Sequence, residues 1–129
     1  MIGHPRLKFV GVGVLAALLF STISLHATCI SPGFNPSNNF CNGCRYEAQM
    51  IVTRNEACHR PYRAPAPIEQ TDHRVVKRAL HGIAGLNGNT FAYMPNKDFV
   101  GKDDFLIEVL FRQNQHYVRF FVHWNVTVQ

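Results

Sequence analysis

The chain has 129 residues, with 13 lysines and arginines against 8 aspartates and glutamates, for a formal net charge of +5. Arg6 and Lys8 precede a long apolar run, and the chain without them carries +3. That charge serves solubility and excludes the basic footprint of a nucleic-acid binder, while the length suits one small domain.

In chain order, a short basic segment, MIGHPRLK, is followed by FVGVGVLAALLFSTISL over residues 9–25, with no charged side chain. Ala27 then offers a small residue for cleavage. This three-part plan predicts a secretory signal peptide over residues 1–27. The run is also near the lower length limit for a membrane span, so a retained anchor is the competing reading and the expected route to a membrane. The residues before Cys29, His26-Ala27-Thr28, do not form a lipobox. The segment predicts a periplasmic or secreted protein.

Residues 28–45 form the next unit. ISPGFNPSNNFCN is rich in Ser, Pro, Gly and Asn and has too little apolar content to order itself, so it is an irregular arm. Four cysteines, Cys29, Cys41, Cys44 and Cys58, follow the apolar run. An even count in an exported domain predicts a disulfide framework, with three connectivities open.

The domain proper is expected over residues 46–129. Tyr46, Ala48, Met50 and Val52 alternate with Glu47, Gln49, Ile51 and Thr53, the period of a strand with one apolar face. Pro61, Pro65 and Pro67 then rule out a helix or a central strand and leave a loop or an edge segment. A short strand over residues 74–79 comes next. The densest basic run, DHRVVKR at residues 72–78, reads as a solvated strand face, with polyanion binding as the alternative. Asn87-Gly88 before the strand at residues 90–93 signals a tight turn.

The last two segments alternate most clearly. Phe105, Ile107, Val109 and Phe111 are apolar at odd positions, and Val118, Phe120, Val122, Trp124, Val126 and Val128 at even ones. Paired residues share a face of a sheet, so paired numbers must sum to an odd value. Arg112 opposite Tyr117, with QNQH as a four-residue loop, satisfies this; a two-residue loop, Gln113-Asn114, does so too, but Gln-Asn lacks the glycine that tight hairpins favour. Phe111 then meets Val118, Val109 meets Phe120, Ile107 meets Val122 and Phe105 meets Trp124. Short strands with Gly, Pro and Asn turns and no helical period predict an all-β antiparallel sandwich.

From residue 72 onward the spacing becomes specific. His81-Gly82, Phe91, Tyr93, Pro95, Asn96, Phe99, Gly101, Asp103, Phe105 and Val109 fall on a pattern that resembles the bacterial immunoglobulin-like and cadherin-like repeats of envelope and surface proteins. FFVHWNVTVQ is similar to that family's final strand. The resemblance implies an immunoglobulin-like β-sandwich, present in one copy. The acidic motifs with which true cadherins bind calcium are absent, and the cysteine-bearing arm has no counterpart in the usual repeat. Within the pattern, Asp103 is suited to accept hydrogen bonds from the amides of its own turn.

CNGC at residues 41–44 has three readings: a redox couple, half a zinc site, or a crosslink. A thiol–disulfide oxidoreductase places its pair at a helix N-terminus beside a βαβ unit, whereas Cys44 runs directly into a strand. A zinc site would need Cys29 and Cys58, or His59, to complete it. Structural disulfides are the reading that fits compartment and spacing, with no metal and no cofactor. His59, His73, His81, His116 and His123 do not form HExxH, and Ser31 and Ser37 lie in the arm without a rigid mount. Asn125-Val126-Thr127 is a formal glycosylation sequon.

A binding surface remains. The outward face of the last hairpin carries Leu106, Leu110, Tyr117 and Phe121, with Arg119 and His123 between them, a pattern that marks a partner site unless the arm covers it. The expected function is therefore a non-enzymatic binding or structural module of the cell envelope. Its partner would be another envelope or extracellular protein, or a glycan. Oligomeric state is not legible. Two alternatives are an oxidoreductase using Cys41 and Cys44, and a secreted inhibitor or effector using the proline-rich loop at residues 59–67.

Overall fold

The computed structural model describes Gly3 and residues 29–31, 41–62 and 69–129. The predicted signal peptide, the middle of the arm and the proline-rich loop beyond Tyr62 thus lie outside the described residues, apart from Gly3. Seven strands follow one another: β1 (Cys44–Val52), β2 (Cys58–Pro61), β3 (Glu69–Lys77), β4 (Gly82–Asn87), β5 (Thr90–Pro95), β6 (Gly101–Gln113) and β7 (His116–Val128). They form an all-β sandwich of two sheets, in the order β1-β7-β6-β3 and β2-β5-β4.

The core is what alternation dictates. Phe105, Ile107, Val109 and Phe111 of β6 and Phe120, Val122, Trp124, Val126 and Val128 of β7 are buried, together with Ala48, Met50 and Val52 of β1. Phe91, Tyr93 and Leu86 close it from the second sheet. Trp124 sits at the centre, its ring 5.2 Å from Phe91 and 6.3 Å from Phe105. Each large apolar side chain removed from water here contributes about 1.5–3 kcal/mol.

The β6–β7 register pairs Phe111 with Val118, Val109 with Phe120, Ile107 with Val122 and Phe105 with Trp124, as parity requires. The four-residue loop is corrected. Gln113 also pairs with His116, so the turn is Asn114-Gln115 alone, with φ of 51° and 38°. Positive φ at both central residues is the type I′ geometry that matches strand twist, and Asn and Gln adopt it here without a glycine. In the β4–β5 hairpin Asn87 pairs with Thr90, and Gly88, at φ 58°, takes the first turn position, the place where a type II′ turn wants glycine.

Two strands differ from expectation. β3 starts at Glu69, five residues early, and runs antiparallel to β6 with register shifts between Gln70 and Asp72 and between Val75 and Lys77. It is an exposed edge strand, so neither face demands apolar residues and no alternation announces it. β1 lies at the other edge and runs parallel to β7, which departs from a wholly antiparallel sandwich. A parallel neighbour needs a long crossover, and the whole domain supplies it.

The disulfides join Cys29 to Cys58 and Cys41 to Cys44, with Cα separations of 5.1 and 5.4 Å. Ile30 bridges Ile51 at the edge of the first sheet, while Cys58 belongs to the second. The Cys29–Cys58 bond therefore ties the two sheets together on that side. CNGC is a turn: the Cys44 amide donates to the Cys41 carbonyl at 3.2 Å, and Gly43 has φ 81°, the third-residue geometry of a type II turn. The turn docks on β7, where the Gly43 amide donates to the Arg119 carbonyl and the Arg119 amide to Asn42 Oδ1.

Several residues of the repeat-like pattern, His81, Gly82, Tyr93, Phe99 and Asp103, meet at one end of the sandwich. Asp103 accepts from the Leu80, His81 and Asp104 amides at 2.9–3.0 Å and from the Tyr93 hydroxyl at 2.9 Å. Its reach is thus wider than its own turn, because it anchors the β3–β4 connection to β6. Burial alone would push its carboxyl up, but the hydrogen bonds outweigh burial and hold it below its ordinary value. His81 stacks on Phe99 at 4.3 Å, and a Cβ at Gly82 would strike the Met94 carbonyl and the Tyr93 ring.

Candidate functional site

The outward face of the four-stranded sheet is built by the same alternation that builds the core. Cross-strand pairing sets Leu106 beside His123, Glu108 beside Phe121, Leu110 beside Arg119 and Arg112 beside Tyr117. All six predicted face residues therefore share one surface. Tyr117 is 62 % exposed, Arg119 is exposed, and Leu106, Leu110, Phe121 and His123 are half-buried.

Hydrogen bonds and ion pairs run between these side chains and their neighbours. His123 occupies the centre, with Nδ1 2.6 Å from Glu47 Oε2 and Nε2 2.7 Å from Asp104 Oδ2. Asp104 also accepts from Lys77 Nζ, and Glu47 from Arg45 Nε at 3.0 Å and Asn125 Nδ2 at 2.9 Å. One chain of contacts thus crosses β3, β6, β7 and β1. Nearer the hairpin tip, Glu108 lies between Arg74 at 2.5 Å and Arg119 at 3.6 Å. Arg112 meets Glu69 at 2.7 Å.

The electrostatics follow from these partners. The Asn125 side chain is the largest influence on Glu47, and with His123 and Arg45 it holds that carboxyl below its ordinary value against the opposing effect of burial. Lys77, then His123, does the same for Asp104. Exposed pairs of this kind contribute little stability individually, about 0–1 kcal/mol each. They tie together side chains of four neighbouring strands.

At the end of the face away from the hairpin turn lies an open groove of about 690 Å³, lined among others by Gln49, Ile51, Lys102, Asp104, Asn125 and Thr127. Its rim offers amide, hydroxyl, ammonium and carboxylate groups. Lys102 Nζ donates to Thr127 Oγ1 at 2.6 Å, so the rim is already ordered. Asn125 of the glycosylation sequon is committed to Glu47 and the Ala48 carbonyl.

His123 has a carboxylate oxygen at each ring nitrogen, so a ligand would have to displace one before it could hydrogen-bond the ring. Cys41 and Cys44 are joined to each other at the start of a strand. Among the described residues no group of three His, Cys, Asp or Glu side chains could hold a metal ion. Sequence reasoning identified the hairpin residues but missed Glu47, Lys77, Asp104 and Asn125. The outward parity of Glu47, Asp104 and Asn125 was available, but the sheet order that brings β1 and β3 alongside the hairpin was not.

No family model matches the chain, and no curated protein sequence does. Two solved structures give only weak likenesses. A sialyltransferase from Photobacterium damsela superposes with a TM-score of 0.37 at 12 % identity, over 66 % of this chain and 18 % of that one. An endo-fucoidan hydrolase of glycoside hydrolase family 107 gives 0.30 at 9 %, over 66 % and 13 %. The chain thus spans less than a fifth of either protein.

Proposed function

We propose that this chain is an exported, non-enzymatic binding module that presents the outward face of β6 and β7 to an envelope or extracellular partner, a protein or a glycan. One observation carries the reading. One sheet face holds Tyr117 and Arg119 exposed and Leu106, Leu110 and Phe121 half-buried, and ion pairs and hydrogen bonds tie Glu108, Arg119 and His123 in place between them. Ordered charges with apolar side chains between them suit a partner site, because little side-chain entropy is then lost on docking. The two disulfides support an oxidising, extracytoplasmic setting, periplasmic or secreted. The repeat-like pattern around Asp103 supports kinship with the immunoglobulin-like and cadherin-like domains of envelope proteins.

The test compares recovery of extracytoplasmic protein or glycan by the wild-type chain with recovery by Leu110→Lys and Phe121→Lys. Both substitutions leave the core untouched. Loss of the recovered partner in both variants is the expected result, and unchanged recovery removes this face from the site. An insulin-reduction assay addresses the oxidoreductase alternative; the proposed reading expects no turnover.

A further inference from the structure

A two-sheet sandwich has four outer strand edges, and this chain treats them differently. At the β1 edge, Ile30 and Ile51 exchange hydrogen bonds of 3.0 and 2.7 Å. The β3 edge carries Glu69, Asp72, Arg74 and Lys77 and two register shifts. The β2 edge is four residues long, ends on Pro61 and is held by the Cys58 disulfide. These are the usual devices against edge-to-edge pairing. β4, Gly82-Ile83-Ala84-Gly85-Leu86-Asn87, has none of them: no charge, no proline and no register shift against β5.

Its backbone phase is readable. Asn87 and Thr90 close a two-residue turn and so form a hydrogen-bonded pair, which makes Gly85–Ala92 and Ile83–Met94 hydrogen-bonded pairs as well. Pro95, which has no N–H, falls opposite Gly82 in the alternate kind of pair, as this phase demands. The amides and carbonyls of Ala84 and Leu86 therefore point away from β5, and they have no backbone partner among the described residues.

We propose that β4 pairs with β4 of a second copy, antiparallel about a two-fold axis at Ala84, so that two three-stranded sheets become one of six strands. A continuous sheet keeps outward residues on one side, so paired numbers sum to an even value. With Ala84 opposite Ala84, Gly82 pairs with Leu86, and six backbone hydrogen bonds form, from amides and carbonyls of Gly82, Ala84 and Leu86 that have no backbone partner among the described residues. On the outward side Ile83, 79 % exposed, then lies beside Gly85 of the other copy, where a Cβ would have nothing within 4 Å. The strand thus carries both the projection and the gap that receives it. Identical charged strands would repel when paired, and this one has no charge. A register centred on Gly85 would set Ile83 against Asn87 and make fewer bonds. The edge belongs to the other sheet from the proposed partner face, so both surfaces can be occupied together. A six-residue pairing buries little area, so the dimer is weak and concentration-dependent.

The test is sedimentation equilibrium with hydrogen exchange on the chain purified after export. The mass should move from monomer towards dimer as concentration rises to about 1 mM. The Ala84 and Leu86 amides should gain protection in step. Ile83→Lys should weaken dimerisation more than about tenfold by like-charge repulsion, with an unchanged unfolding transition because the side chain is exposed. Ala84→Pro, which removes an edge donor that β5 does not use, should also yield a monomer. A wild-type chain that stays monomeric throughout overturns the proposal. So does a dimer indifferent to Ile83→Lys, or protection of Ala84 and Leu86 already complete in the dilute monomer.

Discussion

Replacing Asp103 tests the organisation of the sandwich most sharply. Its side chain is only 8 % exposed, and its two oxygens accept four hydrogen bonds, from the Leu80, His81 and Asp104 amides and the Tyr93 hydroxyl. Asp103→Ala leaves the Leu80 and His81 amides and the Tyr93 hydroxyl without an acceptor where water enters poorly. Hydrogen bonds to a charged acceptor are worth about 1.5–3 kcal/mol each but are not additive, and Tyr93 can turn to the His81 carbonyl 3.4 Å away. A net loss of about 3–5 kcal/mol follows, a large part of the 5–15 kcal/mol typical of a domain. For a domain of this size that corresponds to a fall in Tm of roughly 15–25 °C. Asp103→Asn keeps the shape but offers one acceptor instead of two, and should lose roughly half as much.

The pH dependence gives a second handle on the same residue. The carboxyl is held below its ordinary value in the folded state, so its stabilisation is complete above the unfolded pKa. It is lost as pH falls through the folded value. Thermal unfolding of wild type and Asp103→Asn should therefore differ most near neutrality and converge in acid. An Asp103→Ala variant melting within about 5 °C of wild type would refute the reasoning.

Gly82→Ala should destabilise by about 2 kcal/mol or more, since the new methyl would meet the Met94 carbonyl and lie 2.9 Å from the Tyr93 ring; chemical denaturation reads this directly. Gly85→Ala, in the same strand with open space around it, is the control and should cost far less. Removing the Cys29–Cys58 bond by paired Ala substitution should cost about 3–4 kcal/mol from the 29-residue separation, and removing Cys41–Cys44, three residues apart, about 2 kcal/mol or less. Equal losses would mean that the long crosslink does not hold the sheets together.

The parts of the fold legible in the sequence are those in which one face is buried. Between residues 105 and 128 the alternation is strict; parity limits the cross-strand pairs to odd sums, and the choice of Arg112 opposite Tyr117 selects the register found. The turn was shorter than read because Asn114 and Gln115 accept a backbone usually left to glycine. β3 was placed five residues late because an edge strand with both faces exposed carries no period. The parallel pairing of β1 was hidden for a different reason: parallel and antiparallel strands alternate alike, and sequence does not order them in a sheet. The same gap explains the candidate site. Leu106, Leu110, Tyr117, Arg119, Phe121 and His123 follow from hairpin parity. Lys77 and Glu47 join them only once β3 and β1 are known to flank the hairpin. Disulfide connectivity needed the bridge between Ile30 and Ile51, a long-range contact with no local signal.

CNGC, the most chemical-looking motif in the chain, sits in this structure as a crosslinked turn resting against Arg119. On the proposed reading these cysteines staple an exported module and do no redox work. Non-reducing peptide mapping of the chain recovered from an exporting host, with intact mass before and after reduction, tests it most directly. The account predicts an N-terminus at Thr28, bonds joining Cys29 to Cys58 and Cys41 to Cys44, and no free thiol. A chain that keeps Met1 and carries Cys41 and Cys44 as free thiols would contradict it.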